Sequence, residues 1–344
     1  MLYRLLGPSG IKVSSLCLGT MNFGNEQAWG CDEVASVAIV NRYLDAGGNF
    51  IDTANVYAGG RSEEIVGKAI APRRDEVVLA TKGYFPLGEG PNRIGSTRLN
   101  LRRQVEESLR RLDTEWIDLY QVHIWDPLTP IEETLGVLAD LIHEGKIHYA
   151  GCCNFTAWQL VVAQERAEQL GLERFVAVQP QYSLLCRDIE TEVMGAAELY
   201  GMGVLAWSPL AFGLLSGKYR SDGSSDERAR MVGLDENDFL NAWKTRYFND
   251  HSFRVIDTLC EEAARIKTTP VALALRWVLD QPNLTSVIIG PRSVEQLEGN
   301  LAALDLQPDE QAMERLEAVS EPVETYLDFM QGNHFMRRMA DLED

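Results

Sequence analysis

Short apolar runs rich in β-forming residues alternate with longer helical patterns along most of this 344-residue chain. The apolar runs are almost continuous in hydrophobicity, which is typical of parallel strands buried on both faces. Parallel strands need a long crossover connection, usually a helix, between them. Eight strands are predicted on this basis, at residues 16–21, 50–54, 77–83, 117–123, 148–153, 176–183, 203–210 and 286–290.

The segments between the predicted strands carry helix signals. Between the third and fourth strands, apolar residues recur at the spacing of one helix face: Leu101, Val105, Leu109 and Leu112. Thr129 followed by Pro130, and Thr269 followed by Pro270, predict helix N-termini. Regular βα units and the lack of a GxGxxG motif after the first strand favour a closed (β/α)8 barrel over a doubly wound sheet.

The spacing of the strands also predicts how the rest of the chain is arranged. We expect one domain over residues 1–344, with residues 1–13 forming a β-hairpin that closes the barrel floor. The last two predicted strands lie unusually far apart, which indicates an insertion at about residues 212–252. Residues from about 325 to 344 would form a C-terminal tail.

Composition excludes several classes of function. The formal net charge of -19 argues against nucleic-acid binding, although a helix N-terminus could still hold one phosphate. The six cysteines show no metal-binding spacing, and none of the five histidines forms an HxH pair, so no metal is expected. No run is long and apolar enough for a membrane span, and no signal peptide is evident, so we expect a cytoplasmic protein.

Chemically useful side chains occur near the ends of neighbouring predicted strands, where barrel enzymes place their active sites. Asp52 and Tyr57 belong to the second strand and its loop, Lys82 to the third strand, and His123 to the fourth. Each type alone has an ordinary explanation, such as capping for the Asp and packing for the Tyr. However, a lysine inside an apolar strand needs a partner for its charge, and Asp52 can provide it.

Together these four residues predict a proton-handling group. A carbonyl that receives a hydride becomes an alkoxide and needs a proton, which Tyr57 can donate. A phenol has an ordinary pKa near 10, and a lysine cation beside it favours the phenolate. Asp52 would hold Lys82, while His123 would orient the carbonyl oxygen and share the proton.

The sequence resembles the aldo-keto reductase family over essentially its whole length. The matching stretches lie in order along the chain at residues 18–21 (LGTM), 50–54 (FIDTA), 62–67 (SEEIVG), 81–82 (TK), 118–123 (DLYQVH), 151–155 (GCCNF), 179–182 (QPQY), 207–210 (WSPL) and 289–292 (IGPR). Because Trp207 precedes Ser208 and Pro209, the sequence is more similar to the bacterial and potassium-channel β-subunit-like branch than to the mammalian aldose reductases.

The resemblance implies NADPH or NADP+, rather than NAD, across the barrel mouth. Asn154 and Gln179 would bind the nicotinamide carboxamide, Trp207 would stack on the ring, and Arg292 would bind the 2′-phosphate beside a capping box begun by Ser293. Further cofactor contacts are expected from Gly19, Thr20, Met21, Asp52, Cys153, Ser208, Pro209, Leu210, Ser216, Lys218, Gly290, Gln296, Asn300 and either Arg228 or Arg230.

This sequence departs from the family pattern at two positions. Cys153 stands where Ser is usual, and Gly299 stands where Glu is common. The first departure implies that one carboxamide contact is weaker or replaced, and the second leaves the cofactor affinity and the choice between NADP and NAD open.

The substrate is expected to be a small-molecule carbonyl compound, either a bulky ketone or a sugar-like one. The basis is the aromatic character of the loops above the strands, with Phe23, Trp29, Tyr84, Phe85 and Trp125 as pocket residues. The glycine-rich stretch 83–95 is either a lid or a surface loop, and self-association into a homo-oligomer is left open.

Two other functions remain open at this point. Lys82 could form a Schiff base with a carbonyl substrate, as in class I aldolases. Alternatively, the chain could be an NADPH-sensing regulatory subunit of the same fold, with little turnover.

Overall fold

The computed structural model describes residues 1–25, 30–219, 225–226, 239–326 and 329–330, with only the backbone of residues 239–240. Eight parallel strands close into a barrel in the order β10-β3-β4-β5-β6-β7-β8-β9, which confirms the predicted (β/α)8 fold. These strands are β3 (Leu16–Gly19), β4 (Phe50–Asp52), β5 (Val78–Gly83), β6 (Ile117–Val122), β7 (Ile147–Cys153), β8 (Ala177–Gln179), β9 (Gly203–Ala206) and β10 (Leu284–Ile289).

Helices surround the barrel. They are α1 (Glu33–Asp45), α2 (Arg61–Ile70), α3 (Arg98–Leu112), α4 (Ile131–His143), α5 (Ala157–Leu170), α6 (Val193–Leu199), α7 (Phe239–Tyr247), α8 (Asp250–Arg265), α9 (Pro270–Leu279), α10 (Val294–Leu301) and α11 (Glu310–Ser320). Among the helices of the described residues, none combines the length and apolar character needed to cross a bilayer.

Part of the predicted insertion and most of the predicted tail lie outside the described residues. Within 212–252, residues 220–224 and 227–238 lie outside the described residues, and the remainder includes α7 and the start of α8. Beyond residue 330 the tail also lies outside them.

An N-terminal hairpin closes the floor of the barrel, as predicted. Strands β1 (Tyr3–Leu5) and β2 (Lys12–Ser14) pair antiparallel, and Leu6 and Val13 are fully buried against the barrel interior. Gly7 has a φ of 54°, and a Cβ there would overlap the carbonyl oxygen of Val176. Only glycine therefore allows the hairpin to approach the barrel this closely.

Two sequence predictions about element ends were wrong. Thr269 caps α9 as expected, but Thr129 does not cap α4, whose N-cap position is Pro130. The Thr129 hydroxyl instead donates to the carboxylate of Asp126 at 2.7 Å, a charge-assisted bond that holds its side chain in the loop before α4. The predicted sixth and seventh strands ran several residues too long, since the chain beyond Gln179 and Ala206 leaves the barrel.

Helix α2 ties together the strands that carry the predicted catalytic residues. The Ser62 hydroxyl donates to the Thr20 carbonyl oxygen at 2.8 Å and lies 3.1 Å from the Thr53 hydroxyl. Thr20 in turn donates its backbone N–H and its hydroxyl to the carbonyl oxygen of Asp52. All these groups are buried, so they fix the end of β4 relative to β3.

Glu63 makes a second buried link from α2, toward β5 and α3. Its carboxylate accepts from the Thr81 hydroxyl at 2.6 Å and from the Arg111 guanidinium at 2.6 Å. Because Glu63 is fully buried, both partners are needed to compensate for its lost hydration. Thr81 immediately precedes Lys82, so this link holds the strand that carries Lys82.

Close packing between α2 and α3 depends on Gly67. A Cβ at this position would overlap the backbone of Leu112. We predict that Gly67→Ala lowers the free energy of unfolding by about 1–3 kcal/mol, measured by urea unfolding. The matched control is Gly195→Ala in α6, where a Cβ meets no atom within 4 Å and a gain of up to about 1 kcal/mol is expected. Equal effects of the two substitutions would contradict this explanation.

Candidate active site

Lys82 lies at the centre of the group at the carboxyl end of the barrel. Its side chain is fully buried, and its Nζ donates to Asp52 Oδ1, to the Thr53 carbonyl oxygen at 2.8 Å and to the Tyr57 hydroxyl at 3.2 Å. An ammonium group has three N–H donors, and all three are used here. The structure thus brings together Asp52, Tyr57 and Lys82, which sequence analysis had singled out.

The charges of these groups follow from their surroundings. Burial alone lowers the pKa of Lys82, but the Asp52 carboxylate and the Tyr57 phenol outweigh it, and the net pKa is raised. Lys82 is therefore a permanent cation. Burial raises the pKa of Tyr57, and the Lys82 cation lowers it only in part, so the phenol stays protonated at neutral pH.

His123 follows β6 and completes the group. Its ring centroid lies 6.2 Å from that of Tyr57 and 4.9 Å from that of Phe85, with both contacts edge to face. Burial and the Lys82 cation both lower the pKa of His123 well below its ordinary value, so the imidazole is neutral at neutral pH. A neutral ring can orient a carbonyl oxygen by a hydrogen bond but is not a source of positive charge.

These charges disfavour the Schiff-base hypothesis. A nucleophilic lysine must lose its proton, which requires a lowered pKa. The pKa of Lys82 is raised, and its three N–H groups are all engaged in hydrogen bonds.

Gln121 also contacts this group, although the sequence patterns did not single it out. Its Nε2 donates to Asp52 Oδ2 at 3.1 Å, and Gln179 Nε2 donates to the same oxygen at 2.8 Å. Both glutamines are buried. The position of Gln121 in the sequence could have indicated this contact. Gln121 lies two residues before His123, so both side chains point to the same face of the sheet.

The mouth of the barrel carries the residues expected to hold nicotinamide. Asn154 is exposed and adopts a φ of 57°. Its Nδ2 donates to the His123 carbonyl oxygen at 3.1 Å, and its Oδ1 accepts from Trp207 Nε1 at 2.9 Å. The Trp207 ring packs edge to face on Phe212 and Trp243.

The remaining hydrogen-bonding capacity of this site fits a primary amide. Both N–H groups of Gln179 are used, by Asp52 and Gln121, whereas its Oε1 makes no hydrogen bond within the described part of the chain. Asn154 has one N–H left after its bond to His123. One acceptor and one donor complement the carboxamide of nicotinamide, so these residues suit an NAD(P)H cofactor.

Two serines expected at the phosphate end of the cofactor make hydrogen bonds within their own loop. Ser208 Oγ accepts from the Phe212 N–H at 3.1 Å, and Ser216 Oγ donates to the Gly213 carbonyl oxygen at 2.5 Å. Pro209 is buried, while Met21, Leu210 and Lys218 are partly exposed. Within the described residues the Lys218 side chain has no ion-pair partner, which suits binding of an anion.

The predicted capping box at α10 forms only in part. Ser293 Oγ accepts from the Gln296 N–H at 3.2 Å, as expected. However, Gln296 Oε1 accepts from the Arg292 N–H at 3.0 Å rather than from Ser293. Arg292 is therefore held at the helix start through its backbone. Asn300 lies one turn beyond Gln296 and is buried, whereas Gly290 is exposed.

Several predicted contact residues do not reach the mouth through their side chains. Thr20 is buried and bonded to Asp52 and Ser62. Gly19 is also buried. The Cys153 thiol is buried and lies 3.6 Å from Gln121 Oε1. Phe23 is 0% exposed and belongs to the main hydrophobic core, so, contrary to the prediction, it does not line a pocket.

Three other predicted pocket residues, Tyr84, Phe85 and Trp125, are partly exposed. The rings of Tyr84 and Phe85 lie 5.3 Å apart, and Trp125 packs on Phe155 at 5.2 Å and on Trp158 at 5.4 Å. Trp29, Arg228 and Arg230 lie outside the described residues. Within the described ranges, no group of three or more His, Cys, Asp or Glu residues is arranged to hold a metal ion.

Comparison with known proteins identifies the class of this chain. Residues 15–321 match the Aldo/keto reductase family. The chain is 42% identical over 325 residues to the uncharacterized oxidoreductase YrpG of Bacillus subtilis (strain 168), covering 91% of this chain and 94% of that protein. It is 35% identical over 326 residues to a probable voltage-gated potassium channel subunit beta of Oryza sativa subsp. japonica, covering 93% and 96% of the two chains.

A further relative acts on a named substrate. Norsolorinic acid reductase A of Aspergillus parasiticus is 34% identical over 331 residues, covering 92% of this chain and 80% of that protein. The chain therefore belongs to the aldo/keto reductase family of oxidoreductases, whose members typically depend on NAD(P)H. The resemblance to the bacterial and potassium-channel β-subunit branch is confirmed.

The ion pair of Lys82 and Asp52 should make a large contribution to stability. Lys82→Met leaves the Asp52 carboxylate buried without its cation, and we predict a loss of about 3–5 kcal/mol in the free energy of unfolding at neutral pH. The loss should shrink near about pH 5, because an unpaired buried carboxylate has a raised pKa and takes up a proton as the pH falls.

Urea unfolding at several pH values measures this effect. The matched control is Lys68→Met, because Lys68 pairs with Glu33 on the surface and its side chain is 57% exposed. That substitution should change stability by less than about 1 kcal/mol at any pH. Similar, pH-independent losses in the two variants would contradict the account.

Proposed function

We propose that this aldo-keto reductase reduces an aldehyde or ketone to an alcohol with NADPH, and that Tyr57 donates the proton. The observation that carries the proposal is the fully buried Lys82 ammonium, bonded at the same time to Asp52 and to the Tyr57 hydroxyl at 3.2 Å. A permanent cation next to a phenol is an arrangement suited to proton donation.

NADPH, when bound, supplies the hydride. The residues proposed to hold it are Gln179 and Asn154 at the carboxamide, Trp207 at the ring, and Arg292 with Lys218 at the phosphates. The preference for NADPH over NADH rests on Arg292, whose backbone is bonded to the first turn of α10. A guanidinium at that position suits the 2′-phosphate, because it can form charge-assisted hydrogen bonds with it.

Tyr57 acts as the acid. Its raised pKa keeps the proton on the phenol until negative charge develops on the substrate oxygen. When the proton leaves, the phenolate forms next to the Lys82 cation, which stabilises it without rearrangement. Asp52 keeps Lys82 in position throughout.

His123 orients the substrate. Since its pKa is lowered, the ring offers a neutral hydrogen bond to the carbonyl oxygen. Phe85 packs on His123 and is held by its own carbonyl oxygen, which accepts from Asn55 and Gln104. These bonds hold the Phe85 backbone, and the Phe85 ring packs edge to face on His123.

The proposed substrate is a bulky ketone with apolar or sugar-like rings. The support is the partly exposed aromatic group of Tyr84, Phe85 and Trp125 beside the catalytic residues. The relatives named norsolorinic acid reductases support a reductase activity. Small aldehydes should be reduced less efficiently, as judged by kcat/KM.

A second candidate is a regulatory subunit that binds NADPH with little turnover. The likeness to potassium channel β subunits from two plants favours it. Both candidates require NADPH binding, so binding alone does not separate them. Turnover does.

The test is NADPH oxidation with a panel of aldehydes, keto-sugars and aromatic ketones. We expect measurable turnover in the wild type and a loss of about a hundredfold or more in Tyr57→Phe, because the acid is removed while the ring remains. NADPH affinity should change little. The matched control is Tyr149→Phe, whose hydroxyl bonds to Ser9 near the barrel floor.

Two outcomes would contradict the proposal. Tight NADPH binding without turnover on any carbonyl would favour the regulatory subunit. Full activity in Tyr57→Phe would assign the proton to another donor.

A further inference from the structure

A network of buried amides lies beneath the proposed catalytic group. Asp52 Oδ2 accepts from Gln121 Nε2 at 3.1 Å and from Gln179 Nε2 at 2.8 Å. The second N–H of Gln179 donates to Gln121 Oε1 at 3.2 Å. The side chains of these three residues are at most 3% exposed. The proposed mechanism gives Gln121 no role of its own.

The donors and acceptors in this network allow only one arrangement. Asp52 already accepts from the Lys82 ammonium through Oδ1, and as a carboxylate it can only accept. Both glutamines must therefore present their NH2 groups to it. Gln121 Oε1 then accepts a hydrogen bond from the second N–H of Gln179. The Oε1 of Gln179 is left for a ligand.

Cys153 does not compete strongly for this arrangement. Its thiol lies 3.6 Å from Gln121 Oε1 and is a weak donor. Gln179 is the stronger partner of that oxygen, so Gln121 acts mainly on Asp52 and Gln179.

We propose that Gln121 is a positioning residue that fixes the amide orientation of Gln179 and the carboxylate of Asp52. Resting on the proposed function, this role links two sites. Gln121 positions the Gln179 oxygen that is available to the carboxamide. The same side chain positions the Asp52 carboxylate, which holds Lys82 beside Tyr57. Gln121 therefore aligns the cofactor ring and the proton donor together, although it touches neither.

The first test uses Gln121→Met, which keeps the volume and removes both polar groups. In this variant Gln179 keeps its bond to Asp52 but loses the partner of its second N–H, so the amide, and with it the carboxamide, is held less firmly. With saturating NADPH we expect kcat to fall by about tenfold to a hundredfold, since a buried hydrogen bond to a charged group is lost. KM for the carbonyl should change less.

A stereochemical readout separates positioning from general damage. With NADPH deuterated at either face of the ring, the wild type should transfer hydride from one face only, and Gln121→Met should lose part of this selectivity. The matched control is Gln164→Met. Gln164 is an equally buried glutamine that bonds the Phe175 backbone and does not contact the catalytic group. Its selectivity should equal that of the wild type.

Gln121→Glu adds a pH readout. A carboxylate at this position faces Asp52, so the pair favours holding one shared proton. The protonated form again donates to Asp52, and the activity of Gln121→Glu relative to the wild type should rise as the pH falls from about 8 to about 5. A ratio that does not depend on pH would overturn the proposal.

A measurement without turnover distinguishes failure of this proposal from failure of the proposed function. NMR of the side-chain amides in the cofactor-free protein should show two separate, solvent-protected N–H signals for Gln179. In Gln121→Met these signals should shift and exchange faster, while Gln164→Met leaves them unchanged. Unchanged Gln179 signals in Gln121→Met overturn the positioning role. If the Gln179 signals shift as expected but the protein reduces no carbonyl, the positioning role is supported and the reductase proposal is refuted.

Discussion

A single buried ammonium group organises the carboxyl end of this barrel. Removing a charge from water costs several kcal/mol unless other groups replace the hydration, and Lys82 is fully buried. Asp52, the Thr53 carbonyl oxygen and the Tyr57 hydroxyl replace it. Asp52 needs donors for its second oxygen, which Gln121 and Gln179 supply. One charge therefore sets side-chain positions on four strands, β4, β5, β6 and β8.

The same charge sets the protonation states that the proposed chemistry needs. Burial keeps the proton on Tyr57, while the Lys82 cation limits how far its pKa rises. The cation also helps to keep His123 neutral. Tyr57 is thus protonated and His123 uncharged, and the positive charge of Lys82 lies where a phenolate would form. The proposed reductase function follows from this distribution of charge.

Much of this arrangement could be predicted from the sequence because its signals are local. Apolar runs mark the strands, and the strand ends mark Asp52, Lys82 and His123. Where predictions were wrong, side-chain contacts that the apolar pattern does not encode decided the outcome. Asp126 draws the Thr129 hydroxyl away from its helix, and Phe23 turns into the core rather than toward the mouth. Gln121 was missed since its role depends on contacts with two other strands.

The most direct test of the account is the titration of Tyr57 in the cofactor-free protein, followed by NMR of ring-labelled tyrosine. The central claim is that the Lys82 cation offsets part of the rise in pKa that burial causes. In Lys82→Met, or in Asp52→Asn with Lys82→Met if the single variant does not fold, the pKa of Tyr57 should rise above the wild-type value. An unchanged or lower pKa would contradict the claim that Lys82 tunes this phenol.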